Sequence, residues 1–414
     1  MHTVFRNAVG IVAISLALNA PVFADASHNH GHEAFAAKGE AHPHGTEKGN
    51  VRTGDNSIEI YGKLYMSLGY SDPGPGEVEK LDLSSHGSFL GVRGNQPLNG
   101  SLRLFWQIES AIDLDNLGEG GHDGGGNSSG LASRDSFVGL SGKAGTLLFG
   151  KHFTPLTMVL HANDPFAHLP GDARSMLGYV GHRYQSSIDS GHGTMFYVRA
   201  PNSIVYMSPD VGGFSTNIAL IAIDESAAHG VRMPGTSLSL SYKIGSFNAS
   251  YAFERHKKLD RKTSETEGVD PSMLDMTQVH MLTAMYHFPT ATMVNFTVQK
   301  LEAKDSEDEN GEGADGDHDR TAYHVSVQQM FGPHSLRASY TQASDFGNHA
   351  SGDNDSGQMI SLGWFQALSS NTEAYIAVAS TKNEKRGDFG TFFVGEVERG
   401  ADPTTFATGL IHSF

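Results

Sequence analysis

The strongest constraint on the fold is an alternation of apolar and polar side chains that recurs along most of the chain. In the run 58–70, Ile60 and Leu64 share one face. Glu59 and Lys63 share the other. A period of two is the pattern of a β-strand with one apolar and one polar face. Because backbone polar groups in lipid must be satisfied internally, strands of this kind can cross a membrane only in a closed barrel. We therefore predict an all-β transmembrane barrel.

Counting the alternating runs gives the expected number of strands. Most runs are long enough for tilted membrane strands, which need about 9–11 residues. We predict sixteen strands near 58–70, 86–95, 101–114, 133–142, 145–152, 194–208, 214–224, 236–244, 246–256, 276–288, 291–301, 321–331, 334–345, 357–366, 372–381 and 403–414.

The connections between these runs alternate in length. Gly142–Gly145, Pro289–Thr290 and Gly332–Pro333 are short turns. Residues 153–193 and 382–402 are two of the long loops. An outer-membrane barrel has short periplasmic turns and long external loops. A soluble β-sandwich, the main alternative fold, has no need of this alternation.

The residues before the barrel divide into two segments. Residues 1–26 hold a short apolar stretch from Ala8 to Leu18, as expected of a secretory signal peptide. Residues 27–56 lack apolar periodicity, which predicts a mobile periplasmic extension before a barrel domain at 57–414. Imidazoles in the extension are weak candidates for binding zinc, copper or nickel. These histidines are His28, His30, His32, His42 and His44.

Composition excludes several classes of function. The chain has no cysteine, which rules out disulfide scaffolds and cysteine-ligated metal sites. Its formal net charge of −17 argues against nucleic acid as a partner, since phosphate contacts need clustered Lys and Arg. The tract Gly120 to Gly130 contains one Gly-x-Ser-x-Gly match, Gly126 to Gly130, but a glycine-rich tract is typical of a loop and not of the strand-to-helix turn of a nucleophile elbow. No phosphate-binding glycine loop followed by a helix is recognisable either. We therefore predict a protein that is not an enzyme and needs no cofactor.

Several segments resemble the general bacterial porins, and the neisserial type in particular. The matching segments occur in the family's order along the chain. They are Tyr61-Gly62-Lys63-Leu64, Leu90-Gly91-Val92-Arg93-Gly94, Gly100-Ser101-Leu102, Phe105-Trp106-Gln107-Ile108-Glu109, Ser133-Arg134-Asp135-Ser136-Phe137-Val138-Gly139-Leu140, Leu148-Phe149-Gly150-Lys151-His152-Phe153-Thr154-Pro155, Asn202-Ser203-Ile204-Val205-Tyr206, Ser208-Pro209, Gly213-Phe214-Ser215 and Gly409-Leu410-Ile411-His412-Ser413-Phe414.

The resemblance implies more than the alternation alone. It implies a sixteen-stranded antiparallel barrel in the outer membrane of a Gram-negative bacterium, assembled as a homotrimer. It also implies a third loop, 153–193, that folds inward as a constriction, and passive diffusion of small hydrophilic solutes and ions. The expected surroundings are outer-membrane lipid and lipopolysaccharide.

The resemblance further suggests which side chains line the pore. In porins, basic residues on the early strands face acidic residues on the third loop, and such charges set selectivity. The basic candidates are Lys63, Arg93, Arg134 and Arg199, with Arg103 added because it shares the polar face of its strand. The acidic candidates are Asp164 and Asp172.

One position departs from the family pattern, and three other functions compete with general diffusion. Phe89 stands where many porins have a basic residue, which leaves the preference between anions and cations open. The histidines suggest a channel specific for metal ions or their chelates. A barrel-embedded enzyme such as a lipase would keep the alternation but fill the pore. A surface adhesin would act through loops such as the acidic segment 302–320.

Overall fold

The computed structural model describes most of the chain from residue 50 onward. The predicted signal peptide, the five histidines of the extension and most of the acidic segment lie outside the described residues. Those described are 50–53, 56–85, 87–112, 114, 131–178, 196–197, 199–221, 235–259, 274–305, 318–346, 354–395 and 397–414.

Strands dominate the described residues. They are β1 Asn50–Thr53, β2 Asn56–Asp72, β3 Lys80–Ser85, β4 Phe89–Asn99, β5 Leu102–Ala111, β6 Ser136–Gly142, β7 Gly145–Phe153, β8 Arg199–Met207, β9 Phe214–Ile221, β10 Gly235–Ile244, β11 Phe247–Leu259, β12 Leu274–His287, β13 Thr292–Asp305, β14 His318–Phe331, β15 His334–Ala343, β16 Gly357–Ser369, β17 Thr372–Asn383 and β18 Thr404–Ser413. One α-helix, α1 Pro155–His161, and one 3₁₀ helix, Ala173–Ser175, follow β7.

The sheet closes on itself. From β4 to β18 each strand pairs antiparallel with the next. Closure occurs where β18 pairs with β2, from Thr404 opposite Asp72 to Ser413 opposite Lys63. Closing the sheet leaves no exposed edge, which is the condition for a sheet to span lipid. The predicted sixteen-stranded antiparallel barrel is thereby confirmed.

The second barrel strand is broken, which explains why two more strands are assigned than barrel positions exist. β3 pairs with the C-terminal part of β2, residues 66–71, and β4 pairs with its N-terminal part, residues 57–63. At the break, the backbone N–H of Tyr65 donates to the hydroxyl of Ser88 at 2.8 Å. A side-chain hydroxyl therefore takes the place of a backbone partner in the ladder. Residues 80–85 form a strand, although they lie between the predicted strands 58–70 and 86–95 and were therefore expected in a loop. β1 is a short addition that pairs with the start of β2.

The alternation has the structural meaning that the sequence predicted. On β16, Ile360 and Leu362 are 55% and 54% exposed on the outer face. Their neighbours Met359 and Ser361 are buried on the inner face. Among the described residues, no helix is long and apolar enough to cross a membrane.

Candidate functional site

The third loop enters the barrel through helix α1. Thr154 caps the helix by accepting a hydrogen bond from the Thr157 N–H at 3.3 Å, and Pro155 occupies its first turn. Both features favour a helix start at this point. The N–H of Leu156 then donates to the Ser237 hydroxyl on β10 at 3.1 Å. The helix is thus fixed to the inner wall from its first turn.

Beyond the helix, the third loop is tied to successive strands of the wall. Asn295 on β13 donates its side-chain amide to the carbonyl of Asn163 at 2.9 Å. Arg337 on β15 donates to the carbonyl of Pro165 at 3.1 Å. Gly171 approaches β16 so closely that a Cβ there would lie 2.0 Å from the Ser361 hydroxyl oxygen. The predicted inward fold of the third loop is confirmed for residues 154–178.

Apolar packing holds the loop against the same half of the barrel. The wall there presents small residues, which leave room for larger loop side chains. Phe166 has no exposed surface and meets Phe365 edge to face, with ring centroids 6.5 Å apart. A second buried cluster joins the loop to the wall. Its loop side chains include Leu156, Leu160, Met176 and Leu177; its wall residues are the small Ala252, Ala303, Ala322, Ala343 and Ala379 and the larger Val279, Met281, Leu301 and Met359.

Asp164, a predicted acid of the constriction, is buried inside the loop at 7% exposure. Its carboxylate accepts hydrogen bonds from the backbone N–H groups of Phe166 at 2.9 Å and Ala173 at 2.8 Å. Burial raises the pKa of Asp164 to about 7, and the nearby charge of Asp172 adds to the rise. The side chain thus joins two turns of the loop.

Asp172, the second predicted acid, has no exposed surface. It accepts from the backbone N–H of His168 at 2.7 Å and from the guanidinium of Arg174 at 2.7 Å. Burial pushes its pKa upward, but the positive charge and hydrogen bonds of Arg174 outweigh burial and leave the pKa lowered. Both acids brace the loop from inside, and their role in selectivity stays a prediction.

The basic candidates lie on the other half of the barrel, on or next to β2 to β8, and three of them form ion pairs. Arg93 contacts Glu59 at 2.7 Å. Arg134 contacts Glu109 at 2.6 Å. The third pair joins Arg199 to Asp135 at 3.4 Å. The structure therefore brings Arg93, Arg134 and Arg199 onto one half of the wall, as three ion pairs. We call Lys63, Arg93, Arg134, Lys151 and Arg199, with these three acids, the basic wall.

Each of these arginines also lies over an aromatic ring. The guanidinium carbon of Arg93 is 4.7 Å from the ring centroid of Tyr61. Arg134 lies 4.7 Å above Phe89, and Arg199 lies 4.0 Å above Phe153. Contacts of this kind fix the plane of a guanidinium group. Phe89 stands where many porins have a basic residue, and here its ring supports the guanidinium of Arg134.

Burial differs along the basic wall. The Arg134 and Glu109 side chains are 3% and 7% exposed, whereas those of Arg93 and Glu59 are 35% and 36% exposed. Lys151 on β7 is half-buried and donates to the Ser133 carbonyl at 2.6 Å. Lys151 is not among the pore-lining residues predicted from the sequence. The pairing of β7 with β8 shifts register between Gly150 and His152, so the alternation does not predict which face Lys151 occupies.

Lys63 faces the third loop across a cavity of about 340 Å³. Its amino group lies 5.1 Å from the Tyr65 ring centroid. Asp164 lines the same cavity, as do Arg337 and Glu373, which form an ion pair at 3.0 Å. Arg337 was also missed, although alternation along β15 places it on the inner face. The structure thus brings Lys63 and Asp164 to one cavity.

Arg103 is the one basic candidate that lies apart from the others. It is exposed near the turn that joins β4 and β5, opposite Ser141 of β6. Within the described part of the chain, no group of three or more His, Asp or Glu side chains is arranged to hold a metal ion.

The last long loop, residues 384–403, departs from the expectation of an external loop. Thr391 and Phe389 have no exposed surface, and Phe392 is 9% exposed. The loop carbonyl of Thr391 accepts a hydrogen bond from the Gly171 N–H of the third loop at 3.1 Å. The sequence carried a signal for this inward fold, because large aromatic residues such as Phe389 and Phe392 are unusual in a solvated loop.

Comparisons with known proteins agree with this architecture. A family model described as Gram-negative porin matches residues 15–386. Major outer membrane protein P.IA of Neisseria meningitidis serogroup C is 29% identical over 337 residues, which are 73% of this chain and 79% of that protein.

Solved structures match as well. The anion-selective porin from Comamonas acidovorans has a TM-score of 0.65 at 21% identity, covering 87% of this chain and all of that one. The trimer form of OmpT, an outer membrane protein of Vibrio cholerae, has a TM-score of 0.61 at 15% identity, covering 87% of this chain and all of that one.

Proposed function

The chain belongs to the Gram-negative porin family of outer-membrane diffusion channels, and we propose that small hydrophilic anions pass its pore most readily. Solutes would move passively, down their gradient, between the third loop and the basic wall. Charged side chains at the narrowest part of a pore set which ions enter, and this proposal rests on the charges of that wall.

The observation that supports the proposal is the charge balance of the basic wall. It holds five basic side chains, Lys63, Arg93, Arg134, Lys151 and Arg199. Three carboxylates, those of Glu59, Glu109 and Asp135, pair with three of them. Counted together, five basic side chains and three carboxylates give the wall a positive balance, which would attract an anion in the pore. At physiological salt, charges act over about 8 Å, so the local wall outweighs the distant negative loops.

The opposing third loop adds little negative charge to this balance. Asp164 is partly protonated near neutral pH, because its pKa is raised to about 7. Asp172 is neutralised by Arg174, whose guanidinium lies 2.7 Å away. The charge of the basic wall is therefore not cancelled by the described acids of the loop.

A salt gradient across a planar bilayer tests the proposal. The purified protein is reconstituted, and the reversal potential is measured with potassium chloride at different concentrations on the two sides. We expect the sign that corresponds to excess chloride permeability. Excess potassium permeability would overturn the proposed anion preference while leaving the channel function intact.

We also propose that three copies assemble in the membrane, in contact with lipid and lipopolysaccharide. The outer face of the barrel exposes large apolar side chains, among them Ile60 and Leu282, each at 53%. Such a face fits lipid or a second barrel. OmpT of Vibrio cholerae, which has a similar fold, has been solved in a trimer form. Chemical cross-linking in native membranes should give a species of three times the monomer mass.

For the N-terminal residues, we propose a signal peptide at 1–26 and a periplasmic extension at 27–56. The apolar stretch Ala8 to Leu18 supports the first assignment. Intact-mass measurement of protein extracted from outer membranes tests it. A mass that still includes residues 1–26 would contradict the assignment.

A further inference from the structure

We infer that the last loop, residues 384–403, positions the third loop, and that Phe392 is the positioning residue through which it acts. The inference deepens the proposed function, on which it rests, because the third loop is the part of the barrel that narrows the pore. Its basis is a contact between two loops that both fold into the interior.

The contact consists of one backbone hydrogen bond and one aromatic side chain. The Gly171 N–H donates to the carbonyl of Thr391 at 3.1 Å. Next to this bond, the Phe392 ring lies beside two side chains of the third loop. The guanidinium carbon of Arg174 is 5.1 Å from its centroid, and the His168 ring meets it edge to face at 6.2 Å. A cation over a ring face and a ring edge against it are both attractive arrangements.

Arg174 is itself held rigidly, which makes the contact directional. The carboxylate of Asp172 accepts two hydrogen bonds from its guanidinium, from Nε at 3.0 Å and from Nη2 at 2.7 Å. Nη2 also lies 3.2 Å from His168 Nδ1. Asp172, Arg174 and His168 therefore form one unit, and Phe392 packs against that unit from the opposite loop. In this unit, the buried Asp172 orients Arg174 toward the Phe392 ring.

The last loop is anchored to the barrel wall, so it can serve as a fixed support. The Thr391 hydroxyl lies 2.6 Å from that of Thr405 on β18. The Asn383 side chain on β17 donates to the carbonyls of Phe389 at 2.9 Å and Ala401 at 2.7 Å.

The backbone at the contact also indicates that the position of the ring is imposed. Phe392 has a φ of +79°, a region that bulky residues rarely adopt. Such conformations persist where the surroundings determine them, and they cluster at functional positions. A Cβ on Gly390 would lie 1.9 Å from the carbonyl oxygen of Gly395, so the turn that presents Phe392 closes tightly around a glycine. The fold thus places the aromatic ring against the third loop at a conformational cost.

Single-channel recording on the full chain tests the inference with two variants, Phe392→Ala and Phe392→Cys. We expect the wild type to hold one quiet open level and both variants to fluctuate between conductance levels, because the third loop loses a support. Wild-type current traces from Phe392→Ala would overturn the inference. If the wild type itself gives no conductance, the proposed function fails instead, so the two failures are distinguishable.

Chemical rescue separates loss of the ring from general damage. The chain has no native cysteine, so Phe392→Cys provides a unique thiol. A benzyl methanethiosulfonate reagent attaches a new aromatic ring to it, and we expect the quiet level to return. A reagent that attaches only a methyl group is the matched control and should not restore it. Equal rescue by both reagents, or by neither, would contradict a role for the ring.

Discussion

The two halves of the barrel share one backbone pattern but differ in the chemistry of their inner faces. On β11 to β17, the third loop packs on an inner face that carries Ala252, Ala322 and Ala379. An ion pair on this half, Arg337 with Glu373, also serves the loop, because Arg337 donates to the Pro165 carbonyl. On β2 to β8, the inner face carries ion-paired arginines over aromatic rings, as with Arg134 over Phe89. Small residues thus make a platform for a loop, and charged residues make a wall for solutes. Alternation determines which residues point inward, and side-chain size and charge determine what each half does.

The largest expected effect comes from removing an anchor of the platform half. Phe166→Ala deletes a ring that has no exposed surface and contacts Phe365. Replacing a buried Phe with Ala costs about 3–5 kcal/mol. We expect the third loop to become susceptible to protease and the single-channel conductance to rise. Phe331→Ala, on the exposed outer face, is the matched control, and equal protease sensitivity in both variants would contradict the platform role.

A comparable change on the charged half breaks its most buried ion pair. Arg134→Gln removes the guanidinium that lies 2.6 Å from the buried Glu109 carboxylate. The hydrogen bond that this carboxylate accepts from the Tyr61 hydroxyl, at 3.1 Å, is retained. Removing one partner of a buried ion pair costs about 3–5 kcal/mol. We expect a lower unfolding temperature in detergent. Adding Glu109→Gln should recover much of the loss, and no recovery would mean that the pair itself is not the stabilising element.

Smaller effects are expected from the half-buried lysine of the basic wall. Lys151→Gln removes one positive charge, and its reversal potential should shift toward potassium. Lys243→Gln, at an exposed position near the end of β10, is the matched control and should leave the reversal potential unchanged. A shift of equal size in both variants would show that the basic wall has no special influence.

The third loop should also respond to pH, through Asp164. Its folded pKa of about 7 lies above the ordinary value of about 3.9, so the stability it contributes is fully present below about pH 4. That stability is lost as pH rises through 7. We therefore expect current fluctuations to increase between about pH 4 and pH 7. Asp164→Asn should remove this dependence, and Asp210→Asn at an exposed turn should not.

The smallest shift is expected at the edge of the charged half. Arg103 is exposed near a turn and apart from the three arginine ion pairs. Arg103→Gln should change the reversal potential less than Lys151→Gln, because exposed charges are screened by salt. A larger shift at Arg103 would place the selective region at the rim of the barrel.

The barrel could be predicted from the sequence because its cause is local. A period of two assigns each strand residue to a face, and it correctly placed Lys63 inside. It failed at Lys151, where a register shift changes the face. It also missed the broken second strand, because the Ser88 hydroxyl replaces a ladder bond that no pattern encodes.

The interior of the barrel was less predictable, because its contacts join residues far apart in the sequence. Alternation says nothing about where a loop carboxylate points, so the burial of Asp172 against Arg174 could not be foreseen. The contact of Phe392 with the third loop joins residues more than two hundred positions apart. The resemblance to porins supplied the inward third loop, whereas the alternation of short turns and long loops placed the last loop outside.

Thiol accessibility tests the difference between the two halves most directly. Two single-cysteine variants are compared, Lys151→Cys on the basic wall and Ala322→Cys on the platform under the third loop. A charged methanethiosulfonate reagent is added during single-channel recording. Our account predicts that the reagent reduces current through Lys151→Cys and leaves Ala322→Cys unchanged, since Ala322 has no exposed surface. Equal modification of both positions, or modification of Ala322→Cys alone, would contradict it.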